Sequence, residues 1–221
     1  MKVCTDACLF GAWVAQKLMD NNPEITSVLD IGTGTGLLSI MIAQATRDTL
    51  IDAIEIDSAA AQQAAENFQS SPWGDRLRVL KGDAKNIELQ KQYDLIISNP
   101  PFFENELKSD NALRNIALHS KTLTLQELVD VAFPLLSENG KFAVLLPFYR
   151  SQVFEKYLAD AGLCLEEKTL VRQTEKHSYF RAMLLFGKQK SQTHTREICI
   201  KNQKSYSSDF STLLESYYLN L

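Results

Sequence analysis

Apolar runs of strand length alternate with segments of helical spacing along most of this 221-residue chain. Ser27-Val28-Leu29-Asp30-Ile31 reads as a buried strand, and residues 37–45 follow with helical periodicity. A second strand is expected over 50–56, an Ala- and Gln-rich helix over 58–68, a third strand over 77–80 and a fourth over 94–98. A helix over 123–136 comes next, and Gly140 breaks the pattern before a strand over 142–146. A further helix over 152–161 ends at Gly162, and strands over 163–171 and 179–186 follow with no helix between them. Strand–helix alternation predicts right-handed βαβ crossovers and a parallel sheet. The last two strands, joined by a polar link, predict an antiparallel hairpin at its edge. Residues 187–195, rich in Lys, Gln, Ser and Thr, read as a linker to a C-terminal tail over 196–221, packed on a single domain spanning 1–221.

Composition narrows the class. Hydrophobic residues make up 45% of the chain, enough for one sizeable core, and charged residues 23%, the share of an ordinary globular protein. No apolar run has the ~18–20 residues of a membrane span, and no signal peptide opens the chain, so a cytoplasmic location is expected. Cys4, Cys8, Cys164 and Cys199 lack metal-ligand spacing and read as free thiols, so no metal is expected. A net charge of −4 argues against a broadly basic nucleic-acid binder but leaves room for a local basic patch.

The candidate chemistry sits at Ser98-Asn99-Pro100-Pro101-Phe102. Two prolines cannot donate to a sheet ladder, so the strand ends at Asn99. An amide side chain, backbone carbonyls and an aromatic ring then stand at the carboxyl end of a strand, where open α/β sheets bind ligands. Hydrogen-bond acceptors beside a ring that stacks suit a flat base bearing an exocyclic amine. Asn-Pro-Pro-Phe in this setting resembles the catalytic motif of the amino-group N-methyltransferases that use S-adenosylmethionine. That resemblance implies that Asn99 and Pro100 accept the amine hydrogens and that Phe102 stacks on the base, with Phe103 available to extend the wall.

Asp30-Ile31-Gly32-Thr33-Gly34-Thr35-Gly36 joins the first strand to its helix. Gly32, Gly34 and Gly36 allow a sharp turn and close approach of a ligand to backbone N–H groups at the helix start. The Gly-x-Gly-x-Gly form after an acidic residue resembles the methyltransferase loop rather than a dinucleotide fingerprint. Glu55 ends the second strand, where a carboxylate can accept hydrogen bonds from both ribose hydroxyls. Asp57 competes for that role, but the resemblance favours Glu55 as the residue that holds the ribose, and Asp57 or Ser58 also reads as a helix N-cap. Asp83, after the third strand, is read through the resemblance as the acceptor for the cofactor adenine, with the Ala84 backbone nearby; a bare Gly82-Asp83 pair also suits a turn. The whole pattern looks like the Rossmann-like, seven-stranded class I methyltransferase sheet, mostly parallel with an antiparallel edge hairpin.

The opening, Lys2-Val3-Cys4-Thr5-Asp6-Ala7-Cys8-Leu9-Phe10-Gly11-Ala12-Trp13, resembles that of the bacterial methyltransferases that modify adenine N6 in valine tRNA, next to the anticodon at position 37. The tail from Tyr206-Ser207-Ser208-Asp209-Phe210 through Leu213-Leu214 to Tyr217-Tyr218-Leu219 resembles the same family. Cys4 and Ala7 stand where the family carries glycine, and the family carries a further segment ahead of Lys2. The resemblance implies that Thr5 and Asp6 lie near the methionine end of the cofactor; both also suit a helix N-terminus. It implies a tRNA substrate bound through the anticodon loop; nothing in the sequence demands a dimer, and a monomer is expected. Lys188, Lys190, Arg196, Lys201 and Lys204, with Arg172 and Lys176, are the candidate RNA surface, and His119 falls in a segment that can cover the target base in the family. Two other classes stay open: a glutamine-amide protein N-methyltransferase, whose family favours Tyr at the Phe102 position, and a cofactor- and RNA-binding module without catalysis.

Overall fold

A computed structural model describes residues 4–20, 25–101, 123–203 and 205–219. Helix α1 (Thr5–Asp20) leads into β1 (Ser27–Ile31), α2 (Leu37–Ala45), β2 (Leu50–Glu55), α3 (Ser58–Ser70), β3 (Leu77–Lys81) and β4 (Tyr93–Ser98). Then come α4 (Leu125–Leu135), β5 (Leu136–Pro147), α5 (Phe148–Asp160), β6 (Cys164–Arg172), β7 (Tyr179–Gly187) and β8 (His194–Cys199). The short strands β9 (Lys201–Asn202) and β10 (Ser205–Tyr206) precede α6 (Ser208–Leu214).

Among the described residues the main sheet has eight strands in the order β3-β2-β1-β4-β5-β7-β6-β8. The expected seven are all present, parallel from β3 to β5, with β7 antiparallel to both β5 and β6. The order reverses between β1 and β4, which creates the switch point where such sheets bind ligands.

Alternate residues of each strand face opposite sides, and each side has its own core. Val28, Leu95, Ile97, Ala143, Leu145 and Met183 pack with Phe10, Trp13 and Met41 of α1 and α2. Leu29, Ile31, Ile96, Val144, Leu146 and Leu184 pack with Leu128, Val129, Phe154 and Leu158 of α4 and α5. Both faces of the central strands are therefore apolar, as a covered parallel sheet requires.

The eighth strand corrects the linker and tail reading of 187–221. β8 pairs in parallel with β6, from Glu167 opposite His194 to Arg172 opposite Cys199. Its first four residues are exposed and polar because it is an edge strand, so its composition resembles that of a loop. Helix α5 also begins at Phe148, ahead of the expected 152, because Pro147 ends β5 directly at the helix start.

Candidate active site at the switch point

The register fixes which strand ends meet. Ile31 is level with Ile54 of β2 and with Ser98 of β4, and Glu55 is level with Lys81 of β3. Gly32, Glu55 and Asn99 consequently leave the sheet side by side. Neighbouring strands lie about 4.8 Å apart, so the backbones of Gly32 and Asn99 are separated by about one strand spacing. Asp83 and Ala84 follow β3 on the same edge, and both are half-buried. Asn99 is half-buried and Pro100 buried, while Phe102, Phe103 and His119 lie outside the described residues.

The glycine loop is held by backbone and carboxylate contacts. Gly32 and Thr33 donate their N–H groups to the Ile54 carbonyl at 2.9 and 3.0 Å. Gly34 N–H donates to Glu55 Oε2 at 2.8 Å, and Asp57 N–H donates to Glu55 Oε1 at 2.8 Å. A carboxylate has four acceptor positions, so Glu55 keeps capacity for further donors. Asp57 accepts from the N–H groups of Ala59 and Ala60, which makes it the N-cap of α3 and leaves Glu55 as the carboxylate of the loop. Gly36 has φ +86°, and a Cβ there would lie 2.4 Å from Cε1 of Phe68, so the loop needs glycine for conformation and for space. A Cβ on Gly32 would meet nothing within 4 Å: the loop opens onto free space at that point.

Asp30 is fully buried beneath the loop. Its Oδ2 accepts from Thr33 Oγ1 at 2.6 Å and from Ser39 Oγ at 2.7 Å, whereas Oδ1 has no partner among the described residues. Burial pushes its carboxyl up to about 6, the nearby Glu55 charge adds to this, and the two hydroxyl donors oppose it. Asp83 is engaged as a turn residue: its Oδ1 accepts from Lys85 N–H at 3.0 Å and its Oδ2 from the Asn86 amide at 3.3 Å.

Helix α1 reaches the same edge. Arg181 Nε of β7 donates to Asp6 Oδ2 at 2.7 Å, and Arg181 is level with Pro147 at the end of β5. Thr5 is exposed on the first turn. Tyr218 hydrogen-bonds with Cys8 and Thr5, and burial is the leading cause that pushes its hydroxyl up to about 12. Arg181 escaped sequence reasoning because nothing in Tyr179-Phe180-Arg181-Ala182 marks it; the contact spans 175 positions.

The candidate RNA surface divides. Lys188 donates to the Leu136 carbonyl at 2.7 Å, which puts it, with Lys190 just beyond, at the sheet edge opposite the glycine loop. Arg196 stands within β8, 4.0 Å from Glu167. Arg172, Lys176 and Lys201 lie at the loop edge: Ile200 N–H donates to the Arg172 carbonyl and Lys201 N–H to the Gln173 carbonyl. Lys204 lies outside the described residues. Residues close in sequence separate because β7 carries the chain from the loop edge to the opposite edge and β8 brings it back. Among the described residues there is no cluster of potential metal ligands, and no helix is long and apolar enough to cross a membrane.

Residues 10–161 match the family model described as methyltransferase small domain. A tRNA1(Val) (adenine(37)-N6)-methyltransferase from Flavobacterium johnsoniae is 37% identical over all of this chain and 94% of its own length. One from Dyadobacter fermentans is 41% identical over 84% of this chain and 75% of its own length. The chain belongs to this tRNA1(Val) (adenine(37)-N6)-methyltransferase family. A solved structure described as a predicted O-methyltransferase from Agrobacterium tumefaciens superposes with a TM-score of 0.72 at 13% identity, covering 95% of each chain. At that identity it speaks for the fold alone, the class I methyltransferase sheet. In this chain the glycine loop and Asn99-Pro100 leave adjacent strand ends.

Proposed function

We propose that this protein transfers a methyl group from S-adenosylmethionine to the exocyclic N6 of adenine 37, beside the anticodon of valine tRNA. The relatives' shared name points to that reaction, and the alignment of Gly32, Glu55 and Asn99 on one sheet edge is the observation that carries it. The residues fit the cofactor on their chemistry. The open space against Gly32 admits a ligand, Glu55 retains acceptor positions for ribose hydroxyls, and the Oδ1 of buried Asp30, without a partner among the described residues, suits a nearby donor. Thr5 and Asp6 border the methionine end, and Asp83 and Ala84 the adenine. When bound, the cofactor supplies an electrophilic sulfonium methyl.

An adenine amine is a weak nucleophile because its lone pair is conjugated into the ring. The Asn99 side-chain oxygen accepts one amine hydrogen and the Pro100 carbonyl accepts the other. Together they favour a more tetrahedral nitrogen whose lone pair faces the methyl group, a matter of positioning and electrostatics rather than of strong base. The nitrogen becomes acidic once it has gained the methyl, and its proton then leaves to solvent. Phe102 stacks on the base, which leaves the anticodon-loop stack at modest cost because it is unpaired. The enzyme acts as a cytoplasmic monomer.

The test uses labelled S-adenosylmethionine with an unmodified valine tRNA transcript and with a transcript carrying G at position 37. Label in the first and none in the second is expected. Label in both, or in neither, overturns the assignment.

A further inference from the structure

The segment after β8 folds back against the first helix, and the methyl-transfer reading gives it no task. Its anchors are spread over several elements. Ser207 Oγ donates to the Cys199 carbonyl at the end of β8. Phe210 is fully buried and stacks on Tyr206, with ring centroids 4.6 Å apart. Gln44 Nε2 of α2 donates to the Ser216 carbonyl at 2.6 Å, and the Tyr217 hydroxyl donates to the Met41 carbonyl at 3.3 Å. These contacts deliver Tyr218. Its N–H donates to the Leu214 carbonyl at 3.0 Å, closing the turn after α6, and its ring meets the Phe210 ring edge-on at 6.3 Å.

The Tyr218 hydroxyl is the part that packing does not explain. A phenylalanine would fill the same space against Phe210, and a hydroxyl taken from water needs a partner. Tyr218 is half-buried, and its hydroxyl is bonded to Thr5 and Cys8 of α1. Those two residues are three positions apart on one helix face, so a single hydroxyl reaches both. Arg181 holds Asp6 of the same turn from the sheet side at 2.7 Å. The first turn of α1 is thus fixed from two directions, by β7 and by the C-terminal segment. We propose that Tyr218 is a positioning residue for the cofactor: its hydroxyl braces the first turn of α1 and sets Thr5 toward the methionine end of S-adenosylmethionine. This rests on the reading of Thr5 and Asp6 given above. A residue that touches neither cofactor nor base acts here through the placement of one that does.

The experiment titrates S-adenosylmethionine into the full chain by calorimetry and measures kcat and both KM values with the valine tRNA transcript. Tyr218→Phe keeps the ring and removes the hydroxyl. It is expected to weaken cofactor binding and raise the cofactor KM about fivefold, the size of one lost hydrogen bond, with KM for tRNA and kcat at saturating cofactor unchanged. Thr5→Val is expected to weaken cofactor binding as well. Adding Tyr218→Phe to it should weaken binding no further, because the hydroxyl acts through Thr5. Wild-type cofactor affinity in Tyr218→Phe overturns the proposal. So do additive effects in the double variant, or a parallel rise in both KM values, which shows a structural role. Wild-type affinity in Thr5→Val removes the first turn from the cofactor site and overturns the proposal with it; activity of the native enzyme on the transcript then leaves the methyltransferase reading standing. A native protein that binds no cofactor overturns both.

Discussion

Arg181 of β7 donates to Asp6 of α1 at 2.7 Å and so ties the first turn of the chain to the sheet edge where the glycine loop emerges. Both side chains are mostly shielded from solvent, at 24% and 17% exposure, so the pair is screened less than a surface bridge. Arg181→Ala and Asp6→Ala are each expected to weaken S-adenosylmethionine binding by freeing that turn. The double variant should show a coupling of about 1 kcal/mol by calorimetry and thermal melting. Additive effects would mean that the pair does not position α1.

Asn99 leaves β4 level with the glycine loop, and its proposed work is confined to the reacting amine. Asn99→Ala is expected to lower kcat by roughly 100-fold or more, the scale of losing one well-placed polar contact to the reacting group. Cofactor affinity should change less than twofold. Equal loss of both would remove Asn99 from the catalytic role, and single-turnover methylation beside cofactor titration separates the two.

Asp30 gives the site a pH signature. Its carboxyl is pushed from 3.8 to about 6 in the folded protein, chiefly by burial. The unfolded chain therefore ionises first as pH rises, and stability falls between about pH 4 and pH 6, by about 3 kcal/mol from this one group, then stays level. Asp52 runs the other way. Burial raises it, but hydrogen bonds from Arg78, Lys91 and Tyr93 outweigh that and hold it low, so its stabilisation is lost as pH falls. The difference between wild type and Asp30→Asn isolates Asp30. The variant should gain relative stability from pH 4 to pH 6.5 in chemical denaturation, and a flat difference would contradict the assignment.

Gly36 carries the tightest backbone requirement at the site. An alanine Cβ would meet Phe68 at 2.4 Å from a left-handed conformation, φ +86°. Gly36→Ala is expected to destabilise the fold by about 2–3 kcal/mol, combining backbone strain with displacement of the Phe68 ring. Phe68→Leu in the same chain should recover part of the loss, since it removes the atom that clashes. Denaturant melts of the single and double variants check both statements.

The strand and helix order from 27 to 186 was legible because each element states its own period. Val28-Leu29 and Ile96-Ile97 are buried on both faces and read as continuous apolar strands, and the glycine loop and Asn99-Pro100-Pro101 announce strand ends by conformational restriction. The family was legible through the same short segments with the opening and the tail. Glu55 and Asp57 sit together at one strand end, where the resemblance favours Glu55 and Asp57 also reads as an N-cap; the structure turns Asp57 onto the N–H groups of Ala59 and Ala60 and Glu55 onto the N–H groups of Gly34 and Asp57.

By itself, then, the sequence determined the strand and helix order from 27 to 186 and the family, which follow from local periodicity, local backbone limits and short segments of sequence. Tertiary structure alone decided that 194–199 joins β6 as an edge strand, that Lys188 and Arg172 stand at opposite edges, and that Arg181 meets Asp6. The physical reason is that these depend on strand pairing and packing between distant residues. A polar edge strand carries no apolar period, and nothing local marks an arginine that will meet a carboxylate far along the chain.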